Sequence, residues 1–153
     1  MPPLRSLNSA ANVDELVLRL SRVQPVSARQ WGTMTPHEML CHLGDSFSAM
    51  LGERAASSKE TWLSRNVVKW IALHTSLKWP QGVPTRPEVN PKQNGSKPAE
   101  FERDRTRVLE LMERFVRPEA RHVHHPMFGV LTRDEWMRWG YAHVDHHLRQ
   151  FGV

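Results

Sequence analysis

The stretch Thr132-Arg-Asp-Glu135-Trp136-Met-Arg-Trp139-Gly-Tyr-Ala-His143-Val-Asp-His146-His147-Leu-Arg-Gln-Phe151 decides how this chain is read. It opens on Thr-x-x-Glu, the capping-box spacing: the threonine hydroxyl takes one orphan backbone N–H and the glutamate returns to another. As a helix, the stretch stacks His143 and His147 four residues apart on one face. Two neutral imidazoles held that way are half of a site for a divalent transition metal. His143 with His146, three residues apart, shares nearly the same face, so spacing alone leaves two pairings open.

Four further segments carry helical periodicity. Residues 12–23 place Val13, Leu16, Val17, Leu20 and Val23 on one stripe, with Asn12 as N-cap and Glu15 three residues later. Residues 35–52 open on Thr35-Pro36-His37-Glu38, a second capping box with proline at the first helical position. This helix continues through Met39, Leu40, His42, Leu43, Phe47 and Met50 to Gly52. Residues 61–77 carry Leu63, Val67, Trp70, Ile71 and Leu77, and residues 99–117 carry Phe101, Val108, Leu111, Met112 and Phe115. Five of the eleven prolines (Pro80, Pro84, Pro87, Pro91, Pro98) fall in residues 79–98, with Gly82 and Gly95. Proline at that density cannot continue a helix, so this is one long loop, of a length that marks a functional lid or a disordered segment. Strand alternation and internal repeats are absent from the pattern. The expected fold is all-α: a four-helix bundle of the first, second, fourth and fifth helices, with the third helix and its Pro-rich tail inserted beside it.

At 153 residues the chain suits a single domain, 1–153, with its own core; 39% of it is hydrophobic, including six Trp and seven Met. A net charge of +5 and a pI near 10.0 invite a nucleic-acid reading. Against it, basic and acidic residues interleave over 100–107 and 110–117 as on a solvated helix face, and no basic block occurs. Nucleic acid is therefore not an expected partner. Cys41 is the only cysteine, which rules out an intrachain disulfide and suits a reducing compartment. The opening residues lack the apolar core of a signal peptide, and no stretch approaches the roughly eighteen apolar residues of a membrane span. A soluble cytoplasmic protein is expected.

A metal held in a bundle needs further ligands projecting inward from a facing helix. Position prunes the nine histidines. His37 falls in a first helical turn, where solvent exposure is expected; His74 lies near a helix end; His122, His124 and His125 precede Pro126 in a loop. His42 sits mid-helix on a stripe with Met39, Asp45, Ser46 and Ala49. Buried there, its imidazole needs a partner, because an unpaired buried polar group costs a few kcal/mol. A hydrogen-bonded core histidine and a metal ligand both answer that need.

The segment Trp31-Gly-Thr-Met-Thr-Pro-His-Glu-Met-Leu-Cys-His42-Leu-Gly-Asp45 resembles the first ligand segment of the DinB/YfiT-like metalloenzyme superfamily. Residues 125–152, from His125-Pro-Met-Phe-Gly to His143-Val-Asp-His146-His147-Leu-Arg-Gln-Phe-Gly, resemble the closing segment of one uncharacterised branch of it. Together they span roughly a third of the chain. The resemblance implies a bundle of the DinB type that holds one divalent ion, Zn²⁺ or Ni²⁺, on three histidines. By position these are His42, His143 and His147, which moves His146 from ligand to neighbour. It also implies a small-molecule substrate, with a low-molecular-weight thiol as one class, and a homodimer.

Three neutral imidazoles leave open positions on such an ion. Water held there has its pKa drawn from about 15.7 towards roughly 7, and a thiol is deprotonated more readily still. A metal-dependent transferase or hydrolase follows as the expected function. The alternative is a non-catalytic metal-binding or interaction module whose metal is structural or absent, with Asp45 or another residue as fourth ligand. Asp45, three residues after His42, is a candidate to orient its imidazole or act as a base, and His146 is a candidate catalytic neighbour. Glu38 is engaged as a cap. Gly140, three residues before His143, reads either as room for substrate or as close helix packing. Cys41 and Asp145 point about 100° and 200° away from His42 and His143 around their helices. They read as a buried small hydrophobe and a surface or interface residue. Tyr141 reads as packing, Trp62, Trp70, Trp136 and Trp139 as core or interface, and His125 to Gly129 as a turn.

Overall fold

Helix boundaries follow the capping signals closely. The structure, a computed structural model, describes residues 3–153. It contains α1 (Ala10–Arg22), α2 (Pro36–Met50), α3 (Lys69–His74, entered through a π-helical turn at Ser64–Val68), α4 (Phe101–Val116) and α5 (Arg133–Gln150). The fold is all-α: the described residues hold no strand, only an isolated bridge between His125 and Gly129. Both predicted capping boxes form. Thr35 accepts from the Glu38 N–H at 3.1 Å while Glu38 accepts from the Thr35 N–H at 2.9 Å. Thr132 and Glu135 do the same at 3.2 and 2.8 Å.

Two helices depart from the sequence reading. Helix α1 begins at Ala10 after Ser9, earlier than the predicted Asn12 cap. The Asn12 amide instead donates to the Ser6 carbonyl at 2.9 Å and holds the entry turn. Helix α3 is short, and its predicted inner stripe of Leu63, Val67, Trp70, Ile71 and Leu77 faces outward, as does Trp62 at 67% exposed, while Leu73 is buried. A π turn at Ser64–Val68 interrupts the 3.6-residue register, and the apolar residues are exposed on both sides of it, so the face lies open rather than displaced.

The core is built from Leu16 and Leu20 of α1, Met39, Leu40, Leu43 and Phe47 of α2, Val108, Met112 and Phe115 of α4, and Met137, Val144 and Leu148 of α5. Helix α2 packs on α4 and α5, α1 packs on α5, and α3 packs on α5. Buried Arg105 of α4 donates to the Leu20 and Val23 carbonyls at 2.7 Å each, satisfying acceptors that the end of α1 leaves open. Gly140 belongs to this packing: a Cβ there would stand 2.5 Å from Leu7 Cδ1 and 3.4 Å from the Phe115 ring. The close-packing reading of Gly140 therefore holds. Trp136 and Trp139 are buried, whereas Trp62 and Trp70 are not.

The Pro-rich segment 79–98 takes a defined path over α2. It forms a short 3-10 turn at Pro87–Val89, and the Gly95 N–H then donates to the Asn90 carbonyl at 2.9 Å. Glycine is required at 95, because a Cβ would lie 2.6 Å from the Asn90 carbonyl carbon, a backbone atom with no room to move. Arg54, just beyond α2, donates to the Glu88 and Asn94 carbonyls at 2.8 and 2.6 Å and pins the turn down. No helix among the described residues is long and apolar enough to cross a membrane.

Candidate metal centre

Helices α2 and α5 bring His42, His143 and His147 together. One ring nitrogen of each lies within 4.8 Å of the other two, so the three could hold a metal ion. The His42 and His143 Nε2 atoms are 3.1 Å apart, and the ring centroids of the three residues are separated by 4.6 to 5.1 Å. His146 is not among these donors, and no fourth His, Cys, Asp or Glu of the described residues joins them.

Hydrogen bonds fix which nitrogen each imidazole presents. His42 Nδ1 lies 2.8 Å from the Val89 carbonyl, which can only accept, so Nδ1 carries the hydrogen and Nε2 the lone pair. His147 Nδ1 lies 2.9 Å from Gln150 Oε1. The orientation of that amide is fixed in turn, since its Nε2 donates to the Trp31 carbonyl at 2.9 Å. His147 therefore also donates from Nδ1 and keeps its lone pair on Nε2. Outer partners of this kind set tautomer and ring orientation in histidine metal sites. The Nδ1 of His143 is buried without a hydrogen-bond partner among the described residues. Its Nε2–H can donate to the His42 lone pair; with the hydrogen on Nδ1, Nε2 becomes a third donor.

Charge state agrees with this assignment. Burial pushes His42 below the ordinary imidazole value, and pushes His143 and His147 well below it; the neighbouring histidines add to the effect at His143 and His147. All three are neutral at neutral pH, the form in which imidazole ligates. The Trp79 ring stacks on His143 at 6.1 Å and Trp139 lies 5.0 Å from it, enclosing that imidazole between two indoles. Half-buried His146 sits between Trp31 (5.6 Å) and Trp79 (6.3 Å), 5.1 Å from His147, and burial lowers its pKa as well. His125 closes the predicted turn, its Nδ1 accepting from the Met127 and Phe128 N–H groups at 3.1 Å each; burial takes its pKa down to about 3.

Asp45 does not orient His42, because the Val89 carbonyl occupies that position. Its fully buried carboxylate accepts from Ser96 N and Oγ at 2.6 and 2.7 Å, from Arg107 at 3.1 Å and from Arg54 at 3.3 Å. It acts on His42 indirectly, by fastening the loop that carries Val89. Asp145 is likewise buried and not at the surface: Arg19 and Arg149 each donate to it at 2.9 Å, and Lys78 is 3.7 Å away. The Tyr141 hydroxyl lies against Arg5 and Glu15 in a packing role. Cys41 is buried, with a thiol pushed up to about 12 by burial and by Asp104, which fits a small hydrophobe better than a nucleophile. His37, expected in solvent, instead pairs with Asp104 at 2.6 Å.

The sequence reading does not single out Val89, Gln150, Trp31 or Trp79 as residues of the centre. Gln150 lies three residues after His147 on the same helix, a spacing that could have pointed to it. Val89 acts through its carbonyl, which no side-chain pattern marks. A cleft of about 360 Å³ opens between Arg5, Leu77, Lys78 and the Arg138, Tyr141 and Arg149 face of α5. None of the three imidazoles lines it; Trp79 lines it and also stacks on His143.

The family described as Protein of unknown function (DUF1569) matches residues 3–152. No curated protein and no solved structure matches the chain.

Proposed function

We propose that this chain, which belongs to the DUF1569 family of proteins of unknown function, is a metal-dependent enzyme, a transferase or hydrolase acting on a small organic substrate. In this reading α1, α2, α4 and α5 form a four-helix bundle of the DinB type, and His42, His143 and His147 hold one divalent ion, Zn²⁺ or Ni²⁺. One observation carries it: His42 and His147 are each committed through Nδ1 to a fixed acceptor, which leaves Nε2 for an ion, and one ring nitrogen of each of the three imidazoles lies within 4.8 Å of the others. A divalent ion bound there supplies Lewis acidity and lowers the pKa of a water or thiol beside it.

The chain's own residues do the rest. Val89 and Gln150 hold two imidazoles in their ligating tautomers, and Asp45 with Arg54 fixes the loop that presents Val89. Trp79 and Trp139 shield His143 from water. His146, neutral and next to His147, takes or returns a proton for the substrate. The three-donor set, with no carboxylate closing it, favours a reactive ion over a purely structural one. The exposed face of Trp62, Leu63, Val67, Trp70 and Ile71 supports the homodimer implied by the resemblance.

The burial of His42 and His147, 5% and 9% exposed, and a cleft that stops at Trp79 favour a second reading, a non-catalytic metal centre. One experiment separates the two. The Co²⁺-loaded protein is titrated with azide and with 2-mercaptoethanol while its visible d–d spectrum is followed. An open position gives saturable spectral shifts with either probe. A spectrum unmoved by both means a closed site and ends the enzyme reading.

A further inference from the structure

Helix α2 presents metal-ligating side chains to two neighbours. His42 faces α5, while His37 and Cys41, one turn apart on another face of the same helix, meet Asp104 of α4. His37 Nε2 lies 2.6 Å from Asp104 Oδ2, and Cys41 Sγ lies 3.8 Å from that same oxygen. The three donor atoms all fall within 4.8 Å of one another. We infer that His37, Cys41 and Asp104 form a second, outer metal site, selective for a thiophilic divalent ion such as Zn²⁺.

The donor set is one of imidazole, thiolate and carboxylate, all ordinary zinc ligands. Bond lengths of about 2.3 Å to sulfur and 2.0 Å to nitrogen and oxygen place tetrahedral donors roughly 3.3–3.5 Å apart. The His37–Asp104 distance must open and the Cys41–Asp104 distance must close by less than about 1 Å, within reach of side-chain rotation. Ion binding releases the Cys41 proton to solvent and leaves His37 with its hydrogen on Nδ1; thiolate and carboxylate then balance the charge of the ion. The outer supports of a metal site are in place. The Ala99 N–H donates to Asp104 Oδ2 at 3.1 Å, and the Phe101 ring packs edge-on against His37 at 5.3 Å. Arg107, whose charge acts on Cys41, is engaged by Asp45 at 3.1 Å. The His37 side chain is 22% exposed, which gives an ion a path from solvent. Occupancy would clamp the first turns of α2 and α4 together.

The chain's single cysteine makes the test specific. The His42–His143–His147 centre contains no sulfur, so a near-ultraviolet thiolate-to-cobalt charge-transfer band can arise only from Cys41. The full chain is titrated with Co²⁺ to several equivalents, with no added thiol and with far-ultraviolet circular dichroism to verify the fold. The band is expected in the wild type and in His143→Ala, and is lost in Cys41→Ser. Its midpoint is expected to move to at least tenfold higher Co²⁺ in Asp104→Asn and in His37→Ala. The inference is overturned if folded wild type gives no band, or if the midpoint is the same in both of those variants, which would leave an isolated thiol collecting metal.

Discussion

The Nε2 atoms of His42 and His143 face each other at 3.1 Å across the α2–α5 contact. With the His42 hydrogen held on Nδ1 by Val89, its lone pair points at His143 and requires a proton or a cation in between. In a Cys41→Ser background, which removes the sulfur of the outer site, equilibrium dialysis against Zn²⁺ followed by elemental analysis should find a tightly held ion that His42→Ala, His143→Ala and His147→Ala each weaken. The loss should exceed the 10–100-fold typical of an outer partner, since a ligand itself is removed. His146→Ala should leave the bound ion in place. Retention of that ion in all three ligand variants would refute the assignment.

Gln150 links two parts of the centre, accepting from His147 and donating to the Trp31 carbonyl. Gln150→Leu keeps the volume but leaves the His147 Nδ1 hydrogen without an acceptor and the ring free to present either nitrogen. Metal affinity should fall by about 10–100-fold with the far-ultraviolet spectrum unchanged. A competition titration with a chromophoric chelator measures it, and an unchanged affinity would mean that His147 does not ligate.

Gly95→Ala should weaken the same centre from a distance. The added methyl collides with the Asn90 backbone, so the turn that carries the Val89 carbonyl to His42 must move. A decrease in metal affinity of about tenfold or more is expected although no ligand is altered. The chelator competition reports it, with Gly82→Ala, which strains a φ of +77° but meets no atom within 4 Å, as the control for loop strain away from Val89.

What the sequence made legible follows the physics of each signal. Thr35-x-x-Glu38 and Thr132-x-x-Glu135 placed two helix starts because a capping box is local chemistry, complete within four residues. Helical period stacks His143 with either His146 or His147 and marks His42 as a polar residue in mid-helix; the resemblance is what selects His42, His143 and His147 together. Residues 61–77 misled because apolar periodicity marks a helical face without saying what covers it, and here that face lies open on both sides of a π turn. Asp45 is only a candidate partner for His42 in sequence, a carboxylate three residues away that could reach its ring. The actual acceptor is a backbone carbonyl 47 residues downstream, delivered by a loop whose path depends on Arg54 and Gly95.

Asp45 tests the difference between positioning and proton transfer. Its carboxylate is completely buried and receives Arg54, Arg107 and two groups of Ser96. Asp45→Asn removes the charge that both guanidiniums meet. Breaking a buried pair costs about 3–5 kcal/mol, and the partial exposure of the two arginines reduces that to roughly 2–3. Urea unfolding of the metal-free protein should show this loss. Once a substrate is known, the pH profile of activity in the variant should keep its shape; disappearance of one limb would instead assign Asp45 a proton.

Acid should destabilise the metal-free protein early. Burial lowers the pKa of His42, His122, His125, His143, His146 and His147 in the folded state, His125 to about 3. The unfolded chain titrates these groups near the ordinary value of about 6.5, so below that pH it binds protons that the folded chain refuses. Stability therefore rises with pH through this range and levels off above about 7. His125 alone contributes about 2 kcal/mol of loss between pH 6.5 and 5, at 1.36 kcal/mol per pH unit. Depressed carboxylates such as Asp104, Glu135 and Asp145 lose their contribution only as pH falls below the unfolded carboxylate range, so they cannot produce an effect at pH 6. Urea midpoints measured in chelator from pH 8 to 5 should be flat down to about 7 and then drop steeply. Saturating Zn²⁺ should raise the plateau and keep the drop, because protons compete with the ion for the same three imidazoles. A flat profile to pH 5 would mean that these histidines are hydrated and titrate freely in the folded chain.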